Sequence, residues 1–140
     1  MLKQISVFVE NKAGRLCAIM ETLNGADIDV RSLNIADTTD FGIVRIIVNN
    51  TDKALNALRE NSFTSKVTEV VGFTIEDHAG ALYDVIKAFD QNQLNIEYSY
   101  SMMGKKLGEA DIIVRTDDNE KAAELLKSKG ISIISIGDIV

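Results

Sequence analysis

The chain writes one folding pattern twice, and this constrains its fold more than any other feature. "VENKAGRLCAIMETL" (residues 9–23) lies over "IEDHAGALYDVIKAF" (75–89) at an offset of 66 residues. Leu16, Ile19, Met20 and Leu23 fall on Leu82, Val85, Ile86 and Phe89. That is the i, i+3, i+4, i+7 stripe of a helix with one buried face. "IDV" (28–30) falls on "LNI" (94–96), Gly42 on Gly108, Asp52 on Asp118, and "IIV" (46–48) recurs at 112–114. The register slips by a residue or two in the helix that follows. A shared register this long points to duplication of a whole folding unit.

Each copy reads as strand, helix, strand, strand, helix, strand. The first strands alternate apolar and other residues through Ile5, Val7 and Val9, and through Val71, Phe73 and Ile75. Helices are predicted over about Lys12 to Asn24 and His78 to Asn92. Second strands are expected near Asp27 to Ala36 and Leu94 to Met103. The tips "DTTDFG" and "GKKLG" turn into third strands at Ile43 to Asn49 and Glu109 to Arg115. Asp52 and Asp118 stand where helix N-caps belong. Closing strands are expected near Thr64 to Val70 and Ile131 to Ile136. The order β-α-β-β-α-β is the ferredoxin-like arrangement, an α+β fold. The expected domains are 1–68 and 69–140. Residues 64–77 contain no flexible spacer and the chain has no proline, so the first closing strand is expected to run almost directly into the second copy. Two units of about 70 residues each bury little core and should depend on a shared interface.

Charge and composition narrow the function. The net charge of −6 opposes binding to phosphate backbones, and Lys105-Lys106 reads as a polar hairpin tip. No apolar run is long enough to span a membrane. The opening "MLKQISVFVE" lacks the apolar core and cleavage site of a signal peptide. A lone cysteine, Cys17, excludes an intrachain disulfide. A cytoplasmic location is expected. One histidine and one cysteine cannot make a four-ligand zinc site, no nucleotide fingerprint occurs, and no cofactor is expected. Catalysis by His78 lacks a nucleophile or orienting partner, so no catalytic residue is assigned. His78 reads either as a ligand contact or as a solvent-facing turn residue.

The repeated phrases "ENKAGRL" (10–16) and "EDHAGAL" (76–82) mark the first strand-to-helix turn. Asn11 and Asp77 are candidate caps, with Gly14 and Gly80 in the first helical turn. Two readings of these glycines stand side by side: close packing of helix on sheet, or close approach of a ligand to the backbone. A helix N-terminus offers unpaired N–H groups suited to a carboxylate. Tyr98, Tyr100, Met102 and Met103 either close an apolar ligand pocket or pack in the core and the interface between units. Phe8, Leu33, Ile35, Ile47 and Ile113 are expected on the sheet face away from the helices.

On these residues the chain resembles two tandem ACT domains, small regulatory modules that bind amino acids, with no catalytic domain attached. The resemblance covers nearly the whole chain. The family's turn reads acidic-any-Pro-Gly-any-Leu, and Ala13 and Ala79 stand here in place of proline. The resemblance implies units paired side by side through their second strands into an eight-stranded antiparallel sheet with helices on one face. It implies a ligand held between the glycine turn of one unit and the second strand of the other. The implied site comprises Asn11, Lys12, Ala13, Gly14, Arg15, Leu16 and Asp29, and Asp77, His78, Ala79, Gly80, Ala81, Leu82 and Asn95. Backbone amides would hold a ligand carboxylate, and Asp29 or Asn95 its ammonium. Lys12 and Arg15 become His78 and Ala81, so two equivalent sites are not expected. The resulting expectation is a stand-alone amino-acid sensor that binds no nucleic acid or membrane and is not an enzyme. It would act as a homodimer or on a regulated enzyme partner. The alternative is an interaction subunit docking on an enzyme or transporter without a small-molecule ligand.

Overall fold

A computed structural model describes residues 1–37, 41–103 and 106–140. Parts of the two expected tips, Thr38 to Asp40 and Gly104-Lys105, lie outside the described residues. The strands are β1 (Leu2–Glu10), β2 (Val30–Asp37), β3 (Phe41–Val48), β4 (Thr64–Glu76), β5 (Ile96–Ser101), β6 (Glu109–Thr116) and β7 (Ser132–Ile134). The helices are α1 (Arg15–Gly25), α2 (Thr51–Glu60), α3 (Ala81–Gln91) and α4 (Asn119–Ser128), followed by a 3-10 turn at Ile136–Asp138. No described helix is long and apolar enough to cross a membrane.

The chain forms two compact units. The N-terminal unit comprises Lys3–Thr68 with Ile139–Val140; the C-terminal unit comprises Glu69–Asp138 with Met1–Leu2. In the first, the strand order is β4-β1-β3-β2; in the second it is β7-β4-β6-β5. Each is the ferredoxin-like order, and the pairings resolved by residue are antiparallel. The expected eight-stranded sheet is corrected in two respects. The described residues form seven strands, because Thr64–Glu76 is one unbroken 13-residue strand where a closing strand and a first strand were expected. Among the described residues β2 also neighbours only β3, and β5 only β6, in place of the expected pairing through second strands.

Alternation along the strands builds the cores. Ile5 and Val7 of β1, and Val44, Ile46 and Val48 of β3, meet Ile19 and Leu23 of α1 and Ala54 and Leu58 of α2. The C-terminal unit repeats this with Val71, Phe73 and Val114 against Val85, Phe89, Ala122 and Leu126. Both helices of each unit therefore cover the same sheet face. Phe8, Ile47 and Ile113 alternate with these core residues and point the other way, as expected; Ile47 and Ile113 are nevertheless fully buried. Leu33 packs against the helix-side core instead. Leu33 and Ile35 pair with Ile46 and Val44, so Ile35 shares its phase. A register shift between Val30 and Ser32 causes this reversal, since an extra strand residue flips the faces beyond it. The same shift recurs between Ile96 and Tyr98. It puts Tyr98 and Tyr100 opposite Arg115 and Ile113, away from α3 and α4, with their rings stacked at 6.4 Å.

Candidate functional site

The duplicated turn does not begin the helices as expected. They start at Arg15 and Ala81, and Gly14 and Gly80 are their N-caps, with no side-chain cap. Asn11 and Asp77 are thus too far upstream to cap them. The Asp77 N–H instead donates to the Gly108 carbonyl at 2.9 Å. Gly14 has φ 88° and ψ −15°, Gly80 φ 92° and ψ −17°. With the Arg15 N–H to Lys12 carbonyl and Ala81 N–H to His78 carbonyl bonds, at 3.4 and 3.2 Å, this is the geometry of a type II turn. Its third position needs positive φ, and its second favours proline. Ala13 and Ala79 hold that second position, where the turn pattern that the sequence resembles has proline. A side chain at Gly14 or Gly80 would meet nothing within 4 Å. Left-handed backbone, rather than close helix-to-sheet packing, is therefore what requires glycine here.

The other helices are capped conventionally. Asp118 accepts from the Lys121 N–H, as expected, at 3.1 Å. In α2 the cap is Asn50, which accepts from the Lys53 N–H at 3.1 Å, and Asp52 belongs to the first turn.

A side-chain contact with a glutamate closes each turn. The Lys12 ammonium lies 2.9 Å from the Glu10 carboxylate, and in the second copy His78 Nε2 lies 3.2 Å from the Glu76 carboxylate. The Lys12 hydrogen bond and charge hold the Glu10 carboxyl below the usual carboxylate range. His78 is pushed above the ordinary histidine value, first by its bond to the Ala79 carbonyl and then by the charges of Glu76 and Asp84; partial desolvation opposes this.

The two turns differ just beyond the glycine. The Arg15 guanidinium sits over the Phe63 ring at 5.6 Å, a cation–π contact. Its counterpart Ala81 contributes only a methyl group. There the C-terminal unit has a surface cleft of about 420 Å³, bordered by His78, Ala81, Asp84, Glu109 and Ile131. Sequence reading missed Phe63, Asp84 and Glu109. The Arg15-to-Ala81 exchange was the available signal that the copies differ at this place.

Within each unit, the turn and the expected ammonium partner are separated. Glu10, at the turn, pairs with Phe41 at the start of β3. The Asp29 N–H donates to Asn49 Oδ1, beyond the end of β3. Asn95 likewise donates its N–H to Asp117 Oδ1, past the end of β6. An eight-residue strand such as β3 spans roughly 25 Å, well beyond an amino acid's reach. Asn11, Lys12, Ala13, Gly14, Arg15 and Leu16 thus cluster, as do Asp77, His78, Ala79, Gly80, Ala81 and Leu82. Asp29 and Asn95 join neither cluster within their own units. Asp29 also pairs with Arg31 at 3.2 Å, and Arg31 donates to the Ile139 carbonyl.

Comparison with solved structures finds a protein from Bacteroides thetaiotaomicron, 37% identical, with a TM-score of 0.92 over 99% of this chain and 94% of that one. The regulatory subunit of aspartate kinase from Thermus thermophilus superposes with a TM-score of 0.66 at 14% identity, over 90% of both chains. Its counterpart from Thermus flavus gives 0.63 at 13%, again over 90% of both. At such identities the likeness is one of fold. No curated protein matches the sequence. The family model of the ACT domain pair matches residues 1–140, and the chain belongs to that family.

Proposed function

We propose that this ACT domain pair is a regulatory protein that binds a free amino acid, with the ligand carboxylate on the amides of a glycine turn. The observation that carries the reading is the duplicated left-handed glycine ahead of a helix whose N-terminus has no side-chain cap. The turn itself occupies the first helical amide, that of Arg15 or Ala81; no side chain caps the amides that follow, which face an anion with the positive end of the helix dipole. Family membership supports a small molecule as that anion's source. The second turn is the stronger candidate, because Ala81 leaves beside it the space that Arg15 occupies in the first. Asp29 and Asn95 remain proposed ammonium partners, though neither can serve a ligand held at its own unit's turn.

Thermal denaturation with each of the common amino acids tests this. A ligand at 100 times its Kd should stabilise the protein by about 2.7 kcal/mol. If millimolar concentrations of all of them leave Tm unchanged, the reading fails and a docking role without a small-molecule ligand takes its place.

A further inference from the structure

We propose that His78 is a pH-operated latch on the second turn, closed onto Glu76 and the Ala79 carbonyl while both of its ring nitrogens carry protons. Nε2 lies 3.2 Å from Glu76 Oε2, and Nδ1 lies 3.0 Å from the Ala79 carbonyl oxygen. An ionised carboxylate and a carbonyl only accept hydrogen bonds. Neutral imidazole has a single N–H and can satisfy one of them; imidazolium satisfies both. The first turn supplies an internal control. Lys12 occupies the matching position, and its ammonium pairs with Glu10 at 2.9 Å, so the first turn holds no imidazole.

The surroundings favour the closed form. Glu76 and Asp77 flank His78 in the chain. α3 brings Asp84, and β6 brings Glu109, which itself pairs with Lys106 at 3.2 Å. The cleft-lining segment Gly130–Ser132 carries no charge. Loss of the imidazolium proton to solvent breaks one of the two contacts and leaves Glu76 without its countercharge. The ring carbonyl contact spans the peptide beside Gly80, so this release reaches the glycine turn itself. Resting on the carboxylate-binding reading above, the second turn would then hold an anion less well as pH rises, while the first would not change.

The test needs no ligand, so it stands or falls separately from the amino-acid screen. Amide and imidazole resonances of the full chain are followed by NMR from pH 5 to 8.5. The expected result is a His78 midpoint above the ordinary value of about 6.5. The Ala79 and Gly80 amides should shift on the same curve, and Ala13 and Gly14 should stay still over it. Glu76→Gln should lower the midpoint, and His78→Lys should abolish the transition at the second turn. A wild-type midpoint at or below the ordinary value overturns the proposal. So does a midpoint unmoved by Glu76→Gln, or a pair of second-turn amides that ignore the histidine.

Discussion

Asp29 and Asn49 clamp each other at the foot of the N-terminal unit. The Asp29 N–H donates to Asn49 Oδ1 at 3.0 Å, and the Asn49 N–H donates to the Asp29 carbonyl at 3.1 Å. The same clamp recurs with residue types exchanged: the Asn95 N–H donates to Asp117 Oδ1 at 3.0 Å, and the Asp117 N–H to the Asn95 carbonyl at 3.1 Å. The separation between partners is 20 residues in one copy and 22 in the other. Asn49→Ala and Asp117→Ala should each cost about 1 kcal/mol, the usual net worth of one such bond. Asn49→Asp and Asp117→Asn keep the acceptor and should cost less. Urea denaturation measures this; equal losses for the alanine and the conservative variants would refute it.

Proline should be welcome at Ala13 and Ala79. Both occupy the second position of a type II turn, whose backbone angle proline already holds. Ala13→Pro and Ala79→Pro should each stabilise by about 0.4–1 kcal/mol by restricting the unfolded chain. A rise of a few degrees in Tm would show it. A fall would mean that the residue before each proline resists the extended backbone it imposes.

Glycines in the turns and in the sheet should fail for different reasons. Gly14→Ala and Gly80→Ala strain a left-handed backbone and should cost about 1–2 kcal/mol despite open space around the new methyl. Asparagine, which tolerates this conformation, should cost less at the same positions. Gly72 has no such strain, but a Cβ there would lie 2.7 Å from Leu2 Cδ1 and 3.2 Å from both Ile113 Cδ1 and Ile134 Cβ. Gly72→Ala should cost about 1–3 kcal/mol by overpacking, and Leu2→Ala should partly relieve it. If asparagine and alanine are equivalent at the turns, backbone strain is not what glycine relieves there.

The Glu10 carboxyl gives a pH prediction of opposite sign to that of His78. Its folded value is lowered, so the Lys12 pair contributes fully above the unfolded value of about 4.3 and is lost as pH falls through the folded one. His78, raised in the folded protein, contributes below about 6.5 and loses that contribution as pH rises through its folded value. Carboxyl-detected NMR should find Glu10 titrating below 4.3, and Lys12→Met should return it towards that figure. An unmoved midpoint in the variant would remove Lys12 as the cause.

Hydrophobic periodicity made the element order and the duplication readable, because the helix stripe and the strand alternation are both direct images of burial. Backbone conformation was less readable. The β-bulges at Val30–Ser32 and Glu97 reversed the faces of Leu33 and Tyr98 beyond what simple alternation predicts. The caps at Asn11 and Asp77 looked sound by residue type, yet the helices begin later, since a left-handed glycine intervenes. At the candidate site the turn clusters were legible as repeated phrases. The histidine's two acceptors were not: Glu76 and the Ala79 carbonyl are brought to it by the turn, and no spacing rule announces that geometry.

The unbroken β4 bears on any attempt to exchange ACT domains between proteins. Thr68 and Glu69 fall in different units, yet the peptide joining them lies inside one 13-residue strand with no loop around it. A recombination crossover placed there must match strand phase as well as sequence, since a one-residue insertion turns the downstream half of β4 inside out. The duplication is thus legible as two copies but offers an engineer no joint at which to cut.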